Sequence, residues 1–191
     1  TDYFYGNGAG GAIFGSSVAL SYNGSIKFRG NCAKDGGAIS GNKIVLFANN
    51  EIEFSENQAD VWGGAICVTG EVELNDNGSL IFCDNYSSYE GGAIYGYHAI
   101  KVALNNNGCV RFTGNTADEG GGAVYCGNIT VNDNGRVEFV ENFVKASGKH
   151  TSYNRLVLSC GSSGFFVPHS IQKFAVTIFP QFGHSQINLS S

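Results

Sequence analysis

The sequence predicts an all-β fold, a right-handed parallel β-helix of about five coils. Each coil holds three short strands, and a C-terminal cap or extension follows. Three observations predict it. Gly-Gly-Ala-Ile stands at Gly10–Ile13, Gly36–Ile39, Gly63–Ile66 and Gly91–Ile94, with a Val version at Gly121–Val124, in steps of 26, 27, 28 and 30 residues. Phe-x-x-Asn alternates with it at Phe4/Asn7, Phe28/Asn31, Phe54/Asn57, Phe82/Asn85, Phe112/Asn115 and Phe139/Asn142. Between these motifs apolar residues recur with period two, and no repeat shows a helical period. One unit of about 27 residues cannot bury its apolar face alone; stacked units bury a continuous column. At about 4.8 Å per rung, five coils make a body about 24 Å long. The hand follows the rule for parallel crossovers.

The elements of one coil follow in order. After Gly-Gly-Ala-Ile comes an alternating run with Val18 and Leu20, Ile44 and Leu46, Val72 and Leu74, or Ile129 and Val131 on one face. Asn-Gly pairs then mark a corner at Asn23-Gly24, Asn77-Gly78, Asn107-Gly108 and Asn134-Gly135. Both residue types tolerate the positive φ a tight corner needs. A second run ends in Phe and pairs it with Ile26, Ile52, Leu80, Val110 or Val137; Lys27, Glu53, Arg111 and Glu138 lie between. One face is therefore apolar and the other wet. The Asn of Phe-x-x-Asn recurs once per coil, so Asn7, Asn31, Asn57, Asn85, Asn115 and Asn142 are expected to stack as an amide ladder that satisfies buried corner backbone. Gly36, Gly37, Gly63, Gly64, Gly91, Gly92, Gly121 and Gly122 are expected at a corner where a Cβ would clash. These are structural roles, because catalysis needs one site rather than one copy per coil.

The ordered alternation of Gly-Gly-Ala-[Ile/Val] with Phe-x-x-Asn resembles the repeats of the chlamydial polymorphic membrane proteins, over residues 4 to 142. The resemblance implies the β-helical passenger of an autotransporter, exposed at the outer membrane, which acts as a host-cell adhesin and self-associates. The last 49 residues, 143–191, carry neither motif. Residues 1–142 are thus expected to form the repeat domain, and 143–191 a cap, degenerate coils or an assembly segment. No signal peptide or membrane barrel is apparent. A passenger fragment and a stand-alone secreted repeat protein are both open.

The chain has 191 residues, a formal net charge of −5 and a charged fraction of 14%. No basic field exists to hold nucleic acid or an anionic membrane, and no apolar run suffices for a membrane span. The six cysteines, Cys32, Cys67, Cys83, Cys109, Cys126 and Cys160, include no Cys-x-x-Cys, which argues against zinc. Strand parity turns Cys83 and Cys109 outward, making them the candidates for intermolecular disulfides. Asp35, Asp60, Glu90, Asp118 and Glu119 gather before Gly-Gly; a stacked column of them would suit calcium, but no calcium-loop motif accompanies them. Sequons occur at Asn23, Asn77, Asn85, Asn128 and Asn188. No enzyme activity, cofactor or metal is expected. The expected partners are the chain itself, as a homo-oligomer or filament, and a host-cell surface protein or glycan. The alternatives are a subunit of an extracellular fibre or layer and, last, a carbohydrate-active β-helix enzyme.

Overall fold

The computed structural model describes residues 8–96 and 101–145, together with the backbone of four strands at 151–153, 156–159, 173–178 and 187–190. The first coil comprises β1 (Ile13–Ser21), β2 (Ser25–Arg29) and β3 (Cys32–Asp35). The second comprises β4 (Ile39–Phe47), β5 (Glu51–Ser55) and β6 (Gln58–Trp62), and the third β7 (Ile66–Asn75), β8 (Ser79–Cys83) and β9 (Tyr86–Ser87). In the fourth coil the first side is split into β10 (Ile94–Gly96) and β11 (Lys101–Asn105), followed by β12 (Cys109–Thr113) and β13 (Thr116–Ala117). The fifth holds β14 (Val124–Tyr125), β15 (Asn128–Asn132), β16 (Arg136–Val140) and β17 (Asn142–Val144). Equivalent strands pair in parallel, so the chain forms a β-solenoid of about five turns with three sides and no helix among the described residues.

The alternation read from the sequence sets which side chains enter the core. Val18, Ile44, Val72, Val102 and Ile129 stand in register on the first side, as do Leu20, Leu46, Leu74, Leu104 and Val131. On the second side Phe28, Phe54, Phe82, Phe112 and Phe139 stack as near-parallel rings, with successive centroids 4.9, 4.9, 4.7 and 4.8 Å apart. That spacing is the strand separation itself. Each ring lies within 10° of parallel to the next and is sealed by its neighbours, which is why Phe54, Phe82 and Phe112 are fully buried. Burying each such side chain contributes about 1.5–3 kcal/mol. Phe4 and Asn7 lie outside the described residues.

The parallel winding runs to Val144: Thr116 pairs with Phe143 and Ala117 with Val144. The chain then retraces the three sides in reverse. β18 (Thr151–Tyr153) pairs antiparallel with β17, β19 (Leu156–Ser159) with β16, and β20 (Lys173–Ile178) with β15. β21 (Ile187–Ser190) adds outside β20, again antiparallel. In its described strands the segment runs counter to the coils it follows. It places backbone partners along the end strands of all three sheets, whose free edges would otherwise template another chain.

Candidate functional site

The corners carry the repeated polar residues. Asn31, Asn57, Asn85, Asn115 and Asn142 form a continuous amide ladder at the second corner. Each Nδ2 donates to the Oδ1 of the next rung at 2.8–2.9 Å, and that Oδ1 also accepts the preceding asparagine's backbone N–H. The remaining Nδ2 proton goes back to the carbonyl of the motif's Phe one coil earlier: Asn57 to Phe28, Asn85 to Phe54, Asn115 to Phe82 and Asn142 to Phe112. At the buried Asn57, Asn85 and Asn115 both Nδ2 protons and the Oδ1 are used, as burial of an amide requires.

A second ladder, built on the same plan, occupies the first corner. Asn23, Asn49, Asn77, Asn107 and Asn134 link Nδ2 to Oδ1 at 2.8–3.1 Å. They reach back to the carbonyls of Leu20, Leu46, Leu74 and Leu104. These residues are therefore ladder amides, not the positive-φ turn residues expected of Asn-Gly pairs. The left-handed conformation falls on the residue before each ladder asparagine: Tyr22, Ala48, Asp76, Asn106 and Asp133 at one corner, and Gly30, Glu56, Asp84, Gly114 and Glu141 at the other. An outward third ladder, Asn75–Asn105–Asn132, runs beside the first corner.

At the Gly-Gly corner the two glycines do different work. The first of each pair (Gly36, Gly63, Gly91, Gly121) has φ of 60–70°. The second has no room for a Cβ: an added atom at Gly37, Gly64 or Gly92 would lie 2.0–2.2 Å from the carbonyl oxygen of the second glycine one coil on. At Gly122 it would lie 2.5 Å from the Phe143 oxygen.

The acidic residues before this corner do not stack into a column. Asp35 bridges to Ala9 and pairs with Trp62, Trp62 bridges to Glu90, and Glu90 to Gly120. Among the described residues no group of three or more His, Cys, Asp or Glu is placed to hold a metal. Outside the corner Trp62, Tyr95 and Tyr125 stack at 5.4 and 5.6 Å. Lys145 lies over the Tyr86 ring at 4.3 Å and pairs with Asp118 at 3.3 Å.

Asp35 is 6% exposed and, among the described residues, its Oδ1 has no partner. Burial pushes its carboxyl above the usual range, against the pull of Lys34 and the Trp62 backbone N–H. A raised folded-state value means the contribution is fully present below the unfolded value and is lost as pH rises through the folded one. Asp35→Asn is therefore expected to melt higher than the unsubstituted chain at pH 7, with the difference shrinking towards pH 4. Paired thermal melts across that window check it, since a constant difference would contradict it.

The outward faces differ from coil to coil. One column reads Ser17, Lys43, Glu71, with Lys101 and Asn128 continuing it; another reads Arg29, Ser55, Cys83, Thr113, Val140. Ion pairs bridge neighbouring coils: Lys27 with Glu53 at 3.1 Å, Arg29 with Glu56 at 2.7 Å, and Lys43 with Glu71 and Glu73 at 2.9 Å. Being exposed and screened by solvent, they contribute little to stability. Glu138 is buried between Arg111 and Arg136; burial raises its carboxyl, but their hydrogen bonds outweigh it and hold it below the ordinary value.

Five described cysteines are free thiols. Cys83 and Cys109 lie half-buried on the second side, where Cys83 pairs in register with Thr113 and Cys109 with Ser79, at opposite ends of their strands. Burial and the carboxylates of Asp84, Glu53 and Glu56 push the Cys83 thiol up, which disfavours the reactive thiolate. Cys67 and Cys126 are buried, and Cys126 is pushed up to about 12, chiefly by burial. Cys32 is the exposed one. Of the sequon asparagines, Asn77 and Asn85 are buried ladder amides, whereas Asn128 is exposed. Cys160 lies outside the described residues.

Compared with known proteins, the chain matches the family model described as the Chlamydia polymorphic membrane protein repeat at residues 25–42, 51–69, 79–97 and 110–127. No curated protein and no solved structure matches it.

Proposed function

Because the chain carries the Chlamydia polymorphic membrane protein repeat four times over, we propose that it is a surface-exposed, non-enzymatic adhesive module. Its outward faces bind a host-cell surface protein or glycan, outside the cell or at the outer-membrane surface. The observation that carries this reading is the division of labour within each coil. The repeated residues are consumed by the fold, in two buried amide ladders, a ring stack and a glycine corner. The outward positions are left free to vary: Ser17, Lys43 and Glu71 share one column. A scaffold that repeats inside and varies outside supports recognition better than one catalytic constellation. Self-association is the second part of the proposal, supported by the low charged fraction of 14%. Among the described residues no helix is long and apolar enough to cross a membrane.

The test is saturable binding of the labelled chain to cultured host cells, with the unlabelled chain as competitor. Light scattering is run beside it on the full chain and on a version ending at Lys145. Saturable binding by a chain that also associates is expected. Ordered filaments that need residues 146–191, with no cell binding, would replace the adhesin with a fibre subunit.

A further inference from the structure

Outside the Gly-Gly corner stands a short stack of rings that neither the ladders nor the core uses. Ser40, Cys67, Tyr95 and Tyr125 are in register, each one position after the motif's Ile or Val. Trp62, the one tryptophan of the chain, precedes Gly63-Gly64 and lies on Tyr95. Ring centroids are 5.4 Å apart from Trp62 to Tyr95 and 5.6 Å from Tyr95 to Tyr125, with the planes within 14° of parallel. We propose that this stack carries an oxidising equivalent from Trp62 to Tyr125, and that Tyr125 is an oxidative modification site at which two copies of the chain become joined by a dityrosine bond.

In the reaction a one-electron oxidant, such as a cobalt(III) ammine or the high-valent haem of a peroxidase, takes an electron from the Trp62 indole. The indole radical cation is a stronger oxidant than a tyrosyl radical formed with loss of its proton. An electron therefore moves from Tyr125 to Trp62 through the Tyr95 ring. The Tyr125 hydroxyl proton passes to the Glu90 carboxylate and leaves a neutral tyrosyl radical. Two such radicals, one on each copy, form a C–C bond between ring carbons ortho to oxygen. The hydrogens at those carbons then move to the phenol oxygens. Two electrons and two protons leave in all, and each oxidant is reduced by one electron.

Aromatic pairs at these separations are in contact, and parallel rings in contact couple electronically. The Tyr125 hydroxyl is hydrogen-bonded to Glu90, and burial, followed by the charge of that carboxylate, holds the phenol above its usual value. The phenol thus keeps its proton until the electron leaves, and the proton acceptor is already in place. Cys67 is in register with Tyr95 but buried; burial and then the Asp35 charge hold its thiol well above the usual range, so it offers no thiolate to compete. In the row of Trp62, Glu90 and Gly120 the third residue has no side chain. A Cβ there would lie 3.1 Å from Tyr125 Cε2, so glycine keeps that ring edge clear of the corner's own side chains. Tyr125 is accordingly half-buried, whereas Tyr95 is buried.

Transient absorption of the full chain tests this, with Trp62 excited alone at the red edge of the indole band and pentaamminecobalt(III) as the irreversible electron acceptor. The indole radical is expected to give way to a tyrosyl radical. Peptide mapping of the covalent dimer by mass spectrometry is expected to show Tyr125 joined to Tyr125. Tyr125→Phe is expected to leave the radical on Trp62 and to abolish the dimer, with the melting temperature in place. Tyr95→Phe keeps the bridging ring and is expected to preserve transfer. Glu90→Gln is expected to slow transfer at least about tenfold, since a positioned base contributes that much or more. A tyrosyl yield that Tyr125→Phe leaves unchanged would overturn the proposal. So would coupling at Tyr89, which is 46% exposed, in place of Tyr125, because exposure alone would then select the site.

Discussion

Gly64→Val is expected to lower the stability of the solenoid by at least about 3 kcal/mol, at the top of the range for overpacking. A Cβ at residue 64 would lie 2.1 Å from the Gly92 oxygen and 2.7 Å from the backbone N and O of Tyr86. These are backbone atoms, so no rotamer change clears the contact. Gly64 N–H donates to Gly91 O and Gly63 N–H to Glu90 O, both at 3.0 Å, and the coils could separate only by giving these bonds up. The branched side chain adds volume to a corner already closed to one methyl group. Urea denaturation followed by circular dichroism reads the effect, with Gly24→Ala as the control in open space. An unchanged midpoint for Gly64→Val would mean that the second glycine has no steric role.

Asn85→Ala is expected to cost at least about 4 kcal/mol, from several orphaned buried groups at about 1–3 kcal/mol each. The substitution removes the acceptor of both the Asn57 N–H and Nδ2, at 3.0 and 2.9 Å. It also removes the donor to Phe54 O and Asn115 Oδ1, at 3.0 and 2.8 Å. The corner is buried, so water reaches these groups only by opening the stack. Asn85→Asp separates the two halves of the effect, since a carboxylate still accepts from Asn57 but faces two oxygens with no proton to give. Both variants are expected to shift the denaturation midpoint strongly, with alanine retaining neither half of the bonding. A shift as small as that of an exposed amide would show that the ladder is not a stabilising element.

The repeat was legible in the sequence because its inward residues obey two simple periods, one along the strand and one along the chain. The first-corner ladder was present in the same form and was masked by a competing signal. Leu20-x-x-Asn23, Leu46-x-x-Asn49, Leu74-x-x-Asn77, Leu104-x-x-Asn107 and Val131-x-x-Asn134 match the spacing of Phe-x-x-Asn. The Asn-Gly pairs within them read as turns. The acids before Gly-Gly stand at slightly different offsets in the sequence, and a bulge that no offset reveals separates them further. The register shift between Ala33 and Asp35 sets Asp35 against Trp62 instead.

By itself, then, the sequence determined the three-sided stack, its ring column and its glycine corner, because each follows from steric and hydrophobic demands that recur at every coil. Tertiary structure decided which residue at a corner takes the left-handed conformation, since that depends on where the next coil offers its Oδ1. It also decided how the winding stops. Residues 146–191 contain apolar runs that suit strands in either direction. Only the place where the chain turns back after Val144 makes β18, β19 and β20 antiparallel to the strands they cover. Parallel and antiparallel ladders use the same alternating side chains and differ in backbone hydrogen bonding, which no residue pattern records.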